Sequence, residues 1–178
     1  MRRSKGMGLM ELVLVVVLLA ILAGVALPKL LDLGDDASDV QLKQLTADYR
    51  QAVQFAHLRW QTNGGTDRQD MPGYAGDILD MNPAGFPIGI DKGNGNFNIG
   101  RGNNGCIALW QTLLEDPPSI SLQNDAQFQA YRHNAGAGTG RVSCSYVYRG
   151  DGDTRGRNRA ARVIQYDSLD GQVALIRR

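Results

Sequence analysis

Histidine and cysteine are scarce in this 178-residue chain, two of each, and its charges nearly cancel: 19 Lys and Arg against 18 Asp and Glu leave a formal charge of +1. The two histidines, His57 and His133, stand far apart, and neither belongs to a metal-ligand or catalytic set. No nucleophile–base motif accompanies them. The sequence therefore reads as non-enzymatic, with no cofactor and no resident metal. A near-neutral balance also gives no broad attraction for nucleic acid. The arginines of residues 149–162 are grouped, but no aromatic residue lies among them to stack bases, and a solvated hairpin loop accounts for them more simply. No specific nucleic acid is expected as a partner.

What the chain does have is one long apolar run. Residues 12–27 contain no charged side chain, and a helix from Met7 to Leu27 would reach about 31 Å, near the hydrocarbon thickness of a bilayer. Arg2, Arg3 and Lys5 precede it, while Asp32, Asp35, Asp36 and Asp39 lie beyond it. That bias places the N-terminus in the cytoplasm and exports the rest. Glu11 is the odd residue in this segment, because a carboxylate near the edge of a span costs on the order of 2–3 kcal/mol unless it is paired or moves to the interface. An ordinary secretory signal peptide is one competing reading, since Gly24-Val25-Ala26 has the small-residue spacing of a signal peptidase site. Its apolar region would be about twice the minimal length and would begin at Glu11, and the helical pattern does not stop at Ala26. An uncleaved signal anchor is another.

Beyond Pro28 the pattern becomes one-sided. Leu42, Leu45, Tyr49, Val53, Ala56 and Trp60 recur every three or four residues with polar residues between them, which predicts an amphipathic helix ending at Asn63-Gly64-Gly65. The whole helix would cover about residues 7–62 and extend on the order of 80 Å. Pro28 removes a backbone donor and Gly34 lowers propensity, so a kink or unwound segment is expected around 28–36. Residues 66–178 form one head with a modest core. Three late segments read as strands, 142–149, 162–166 and 172–177, with Asp170-Gly171 as a tight hairpin turn between the last two. The expected class is α+β: a long N-terminal helix, membrane-spanning in its first half and amphipathic in its second, packed on a small C-terminal antiparallel meander.

Cys106 and Cys144 both fall in the part expected to be exported, where oxidation is available, and a bond between them is expected. Two separate buried thiols are the alternative. A bond would restrict the unfolded chain by roughly 4 kcal/mol in the loop-entropy model and tie a helix at residues 106–115 to the first meander strand. Two glycine-containing motifs imitate ligand sites. Residues 100–105 fit G-x-G-x-x-G, but the preceding Phe97-Asn98-Ile99 is too short and polar for the buried strand a dinucleotide site needs, and Pro117-Pro118 interrupts the region where the unit would continue. Residues 151–156 start like a calcium loop, yet Arg155 and Arg162 occupy places where oxygen ligands belong.

The basic leader, Gly6, the apolar run and Glu11 five positions after that glycine together resemble the type IV pilin and pseudopilin family. By that resemblance a prepilin peptidase cuts the Gly6–Met7 bond, Met7 becomes an N-methylated terminus, and Glu11 pairs with the terminal amine of a neighbouring subunit. Cutting instead after Gly8 would put the glutamate only three residues on, out of register. Met7 departs from the family's usual Phe, and Gly8 from its usual Thr or Ser. Pro28 stands where the family's first helix commonly carries a proline. The implied layout is a leader at 1–6, a membrane or filament-core helix at 7–28, an amphipathic half at 29–62 and an extracytoplasmic head at 66–178, which is the type IV pilin fold. The implied partners are the prepilin peptidase, identical or related subunits in a helical filament, inner-membrane assembly machinery, and membrane lipid before assembly. The implied location is a single pass of the inner membrane with a cytoplasmic N-terminus and periplasmic head, then an extracellular fibre. Residues 28–37, the Asn82-Pro83-Ala84-Gly85-Phe86-Pro87-Ile88-Gly89 loop and the surroundings of Cys106 and Cys144 look like the mannose-sensitive haemagglutinin pilins. A pseudopilin of type II secretion and an anchored periplasmic enzyme or binding domain are the alternative functions.

Overall fold

The computed structural model describes residues 8–66, 68–90, 92, 98–100, 102, 104–134 and 142–178, with side chains for all of these but 26–36 and 134. The fold is α+β. A 54-residue helix, α1 (Leu9–Thr62), is followed by a two-stranded pair, β1 (Asp80–Met81) and β2 (Pro87–Gly89), then by α2 (Asn104–Leu113). A five-stranded sheet completes the chain: β3 (Ile120–Ser121), β4 (Phe128–Asn134), β5 (Val142–Tyr148), β6 (Arg162–Asp167) and β7 (Val173–Arg177). The chain divides into two compact units, one ending at Leu42 and one running from Lys43 to Arg178.

In the first unit, α1 remains helical through Pro28 and Gly34, so the unwound segment considered for 28–36 is absent from the backbone, while the Pro28 side chain is outside the described ones. Expected anchoring in the inner membrane by a single pass is corrected here: among the described residues, no helix is long and apolar enough to cross a membrane.

In the second unit, the stripe on α1 does what its spacing predicts. Tyr49, Val53 and Ala56 are buried, and Leu45 and Trp60 are half-buried. The helix ends in a Schellman motif: Gly65 N–H donates to the Trp60 carbonyl and Gly64 N–H to the Gln61 carbonyl, both at 3.0 Å, with positive φ at both glycines.

The sheet is larger than the expected meander. Strands β4 to β7 form it in sequence order, each antiparallel to the next, and β3 joins β4 in parallel, so the sheet is mixed. The β6–β7 connection is also longer than a two-residue hairpin. Gly171 alone of the Asp170-Gly171 pair has positive φ, and the turn closes through Asp167, whose N–H donates to Gln172 O and whose carbonyl accepts from Gly171 N–H. Cross-strand register sorts the faces. Phe128, Ala130, Cys144, Tyr146, Ile164, Tyr166 and Val173 share the inner face, and Gln129, Tyr131, Val147, Val163 and Ile176 share the outer one.

The inner face meets α1 and α2 through aromatic rings. Tyr49 lies 5.6 Å from Tyr146, 5.7 Å from Trp110 and 5.9 Å from Tyr166 between centroids, and Trp110 lies 4.5 Å from Tyr146 and 4.8 Å from Phe128. Such pairs add about 0.5–1.5 kcal/mol each beyond their area burial. Their polar ends are satisfied. Tyr146 Oη donates to Cys106 O at 3.0 Å, so Tyr49 Oη donates to Tyr146 Oη, also at 3.0 Å; Tyr166 Oη donates to Pro87 O and Trp110 Nε1 to Pro118 O. Cys106 and Cys144 are bonded, as expected, and join α2 to β5.

Burial pushes the phenols of Tyr49, Tyr146 and Tyr166 well above the ordinary tyrosine range. The unfolded chain releases these protons above about pH 10 and the folded chain retains them, so stability falls as pH rises beyond that point. In an alkaline titration monitored by phenolate absorbance and circular dichroism, these three phenols should ionise only together with unfolding. Ionisation of all six tyrosines before any loss of structure would contradict this.

Candidate assembly surfaces

Gly8 and Glu11 start α1 together. The Gly8 carbonyl accepts the first helical bonds, from Glu11 N–H at 3.0 Å and Leu12 N–H at 3.2 Å, and the Gly8 N–H donates to Glu11 Oε2 at 3.1 Å. This is the back-reaching half of a capping box, with a carboxylate at the positive end of the helix dipole. Glu11 thus has a local role that its sequence context does not announce. Around it the apolar side chains are bare on every side of the helix, from Leu9 and Met10, more than 80% exposed, to Val25 at 71%. An apolar surface this continuous needs cover, because each exposed side chain forgoes about 1.5–3 kcal/mol of burial. Gly6 and Met7, the expected cleavage and methylation positions, lie outside the described residues.

The loop at residues 149–162 is braced from within. Arg149, nearly buried, donates to the carbonyls of Asp153 and Arg155 and to Gln129 Oε1. Asp153 accepts from Arg155 Nε and N–H, both at 2.9 Å, and from Ala161 N–H at 2.8 Å, while Asp151 pairs with Arg162. The two aspartates that imitate a calcium loop are therefore engaged by the two arginines that spoil its pattern. Arg178 adds a brace, donating to the carbonyls of Arg157 and Ala160. Beneath the loop, Ala160 packs with Val147 and Val163 on the outer face.

The glycine-rich and Asn82 segments are explained by packing. A Cβ on Gly105 would stand 2.7 Å from Gly100 Cα, and one on Gly100 would stand 2.5 Å from Gly105 Cα, so α2 starts against bare backbone. Buried Asn82 organises its own loop: its Oδ1 accepts from Ala84 N–H at 2.9 Å and Phe86 N–H at 3.0 Å, and its Nδ2 donates to Ser168 O. His57 stacks on Phe86, with centroids 4.6 Å apart, and its Nδ1 donates to Gly85 O, fixing the tautomer in which Nε2 accepts from Gln61. Among the described residues, no group of three or more His, Cys, Asp or Glu side chains is arranged to hold a metal ion.

Two head features are not visible in the sequence. The first is the tyrosine triad, whose members are far apart along the chain and carry no local spacing signal. The second is the role of Arg149, which looks like one more surface arginine; its position directly after a strand rich in buried residues is the available signal.

No family model, curated protein or solved structure matches the chain.

Hydrogen bonding to Arg155, reinforced by the N–H groups of Ala161 and Arg155, holds the Asp153 carboxyl well below the usual carboxylate range. Its stabilising contribution is present in full above the ordinary aspartate pKa of 3.8 and is lost progressively as pH falls from there to the depressed folded-state value. Replacement by Ala should cost on the order of 1–3 kcal/mol at neutral pH, because two loop N–H groups lose their acceptor. Urea midpoints measured from neutral to acid pH should also fall less steeply in Asp153→Ala than in the parent chain; parallel curves would argue against it.

Proposed function

We propose that the chain is a structural, non-catalytic subunit of a type IV pilus-like fibre, assembled through the first part of α1. The observation that carries this reading is the helix over residues 9–25, apolar on all sides and uncovered, with a single carboxylate at its start. A bundle of identical helices would cover that surface, with the burial of each apolar side chain contributing to assembly. The second part of α1 packed on an antiparallel meander, with Cys106 bonded to Cys144, agrees with the pilin fold that the N-terminal motif suggests. Within this reading Gly6–Met7 is the bond cut by a prepilin peptidase, and Met7 carries the new amine. Glu11 then exchanges its capping bond to Gly8 for the cationic amine of a neighbour in a low-dielectric core, where a charge pair is worth more than in water. The likeness to the mannose-sensitive haemagglutinin pilins makes a fibre used in adhesion or motility the favoured form.

The test is Glu11→Ala. Its head should retain the parent's near-ultraviolet circular dichroism and urea midpoint, while electron microscopy should show fibres sharply reduced in number and length. Mass spectrometry of purified parent fibres should give a chain beginning at methylated Met7. Parent-like fibres in the variant, or fibres whose subunits begin elsewhere, would overturn the reading.

A further inference from the structure

We propose that the head carries two complementary docking surfaces for copies of its own chain, an acidic groove beside α1 and the arginine loop on the opposite face of the sheet. The inference rests on the fibre reading and adds to it the surfaces through which heads meet.

The groove, about 520 Å³, lies between α1 and the end of α2. Ala52, Phe55 and Leu114 supply apolar lining, with Phe55 51% exposed, and Asp48, Glu115 and Asp116 supply the charge. Among the described residues, no Lys, Arg or His lines it. The loop has the opposite character. Asp151 and Asp153 are engaged by Arg162 and Arg155, whereas the guanidinium groups of Arg157 and Arg159 have no partner among the described residues.

The sheet keeps the two surfaces apart. Tyr146 points to α1 and touches Tyr49, and the next residue, Val147, points the other way and packs with Ala160 of the loop. One chain therefore cannot seat its own loop in its own groove. A second copy can. Guanidinium groups suit this groove twice over, pairing with carboxylates through directed hydrogen bonds and lying on an exposed aromatic ring such as Phe55. Because the two patches differ, the contact is heterologous, and repetition yields an open helical array unless the rotation happens to close a ring.

The experiment uses the full chain in nonionic detergent, which covers residues 9–25 and leaves head contacts to be read by sedimentation velocity. One variant reverses the groove, Glu115→Arg with Asp116→Arg; the other reverses the loop, Arg157→Glu with Arg159→Glu. The parent should associate, and more weakly as salt rises from about 0.05 M to 0.5 M. Each variant alone should associate roughly tenfold more weakly, since like charges then face each other. An equal mixture of the two variants should recover parent-like association, because each groove then meets a loop of opposite charge. Recovery in the mixture also shows that both variants are folded, and near-ultraviolet circular dichroism of the aromatic cluster checks each one separately. The proposal is overturned if the parent associates no more strongly than the variants, or if folded variants fail to recover on mixing. The fibre reading stands or falls separately, on Glu11-dependent fibres without detergent.

Discussion

The second unit depends on one contact, the ring of Tyr49 seated among Tyr146, Tyr166 and Trp110. It is where α1, α2 and the two central strands of the sheet meet. Its hydroxyl begins a directed chain through Tyr146 to the carbonyl of Cys106, so the same residue that fills the core also helps fix the start of α2. The disulfide from Cys106 to Cys144 closes that arrangement two residues before Tyr146 on β5. Packing, hydrogen bonding and the covalent link thus converge on one small region. A side chain lost there would be felt by every element of the inner face, whereas changes on the outer face act mainly through Ala160 and its neighbours.

What can be read from the sequence is local. The stripe on α1, its glycine cap at residues 64 and 65, the presence of α2, placed two residues late at each end, the extents of β5 to β7, and the cysteine pair all come from spacing or composition within a short window. What cannot be read depends on distant partners. β4 alternates as Phe128-Gln129-Ala130-Tyr131, a plain strand pattern, but Arg132, His133 and Asn134 continue it with polar residues, and only pairing with β5 makes them a strand. β1 and β3 have two residues each and owe their existence to their neighbours. The Asp170-Gly171 pair marks the right place in the chain and suggests the wrong geometry, because Asp167 and Gln172 close a longer loop than the dipeptide implies.

The candidate surfaces divide in the same way. Glu11 stands out in the sequence because charge in an apolar run is costly, but its bond to Gly8 is seen only in three dimensions. The loop arginines are visible as a cluster, and composition alone makes them one solvated group. The structure separates them by role: Arg149 is a buried brace, Arg155 and Arg162 answer aspartates, and the guanidinium groups of half-buried Arg157 and exposed Arg159 have no partner among the described residues. The apolar run raises the opposite problem. Its composition suggests a membrane span, and the described helix falls short of one while still exposing its apolar side chains.

The two borders of the five-stranded sheet differ in what they offer another strand. One border is β3, two residues long and paired only with Phe128 and Gln129, so β4 from Ala130 to Asn134 has no strand on that side among the described residues. At the other, β7, the guanidinium of Arg50 occupies the Val173 carbonyl and the strand finishes in Arg177, so added strands would meet charge and an acceptor already taken. Growth by continuous backbone pairing, the geometry of amyloid, is therefore disfavoured at the β7 border, and a strand seeking backbone partners would find them along β4 instead.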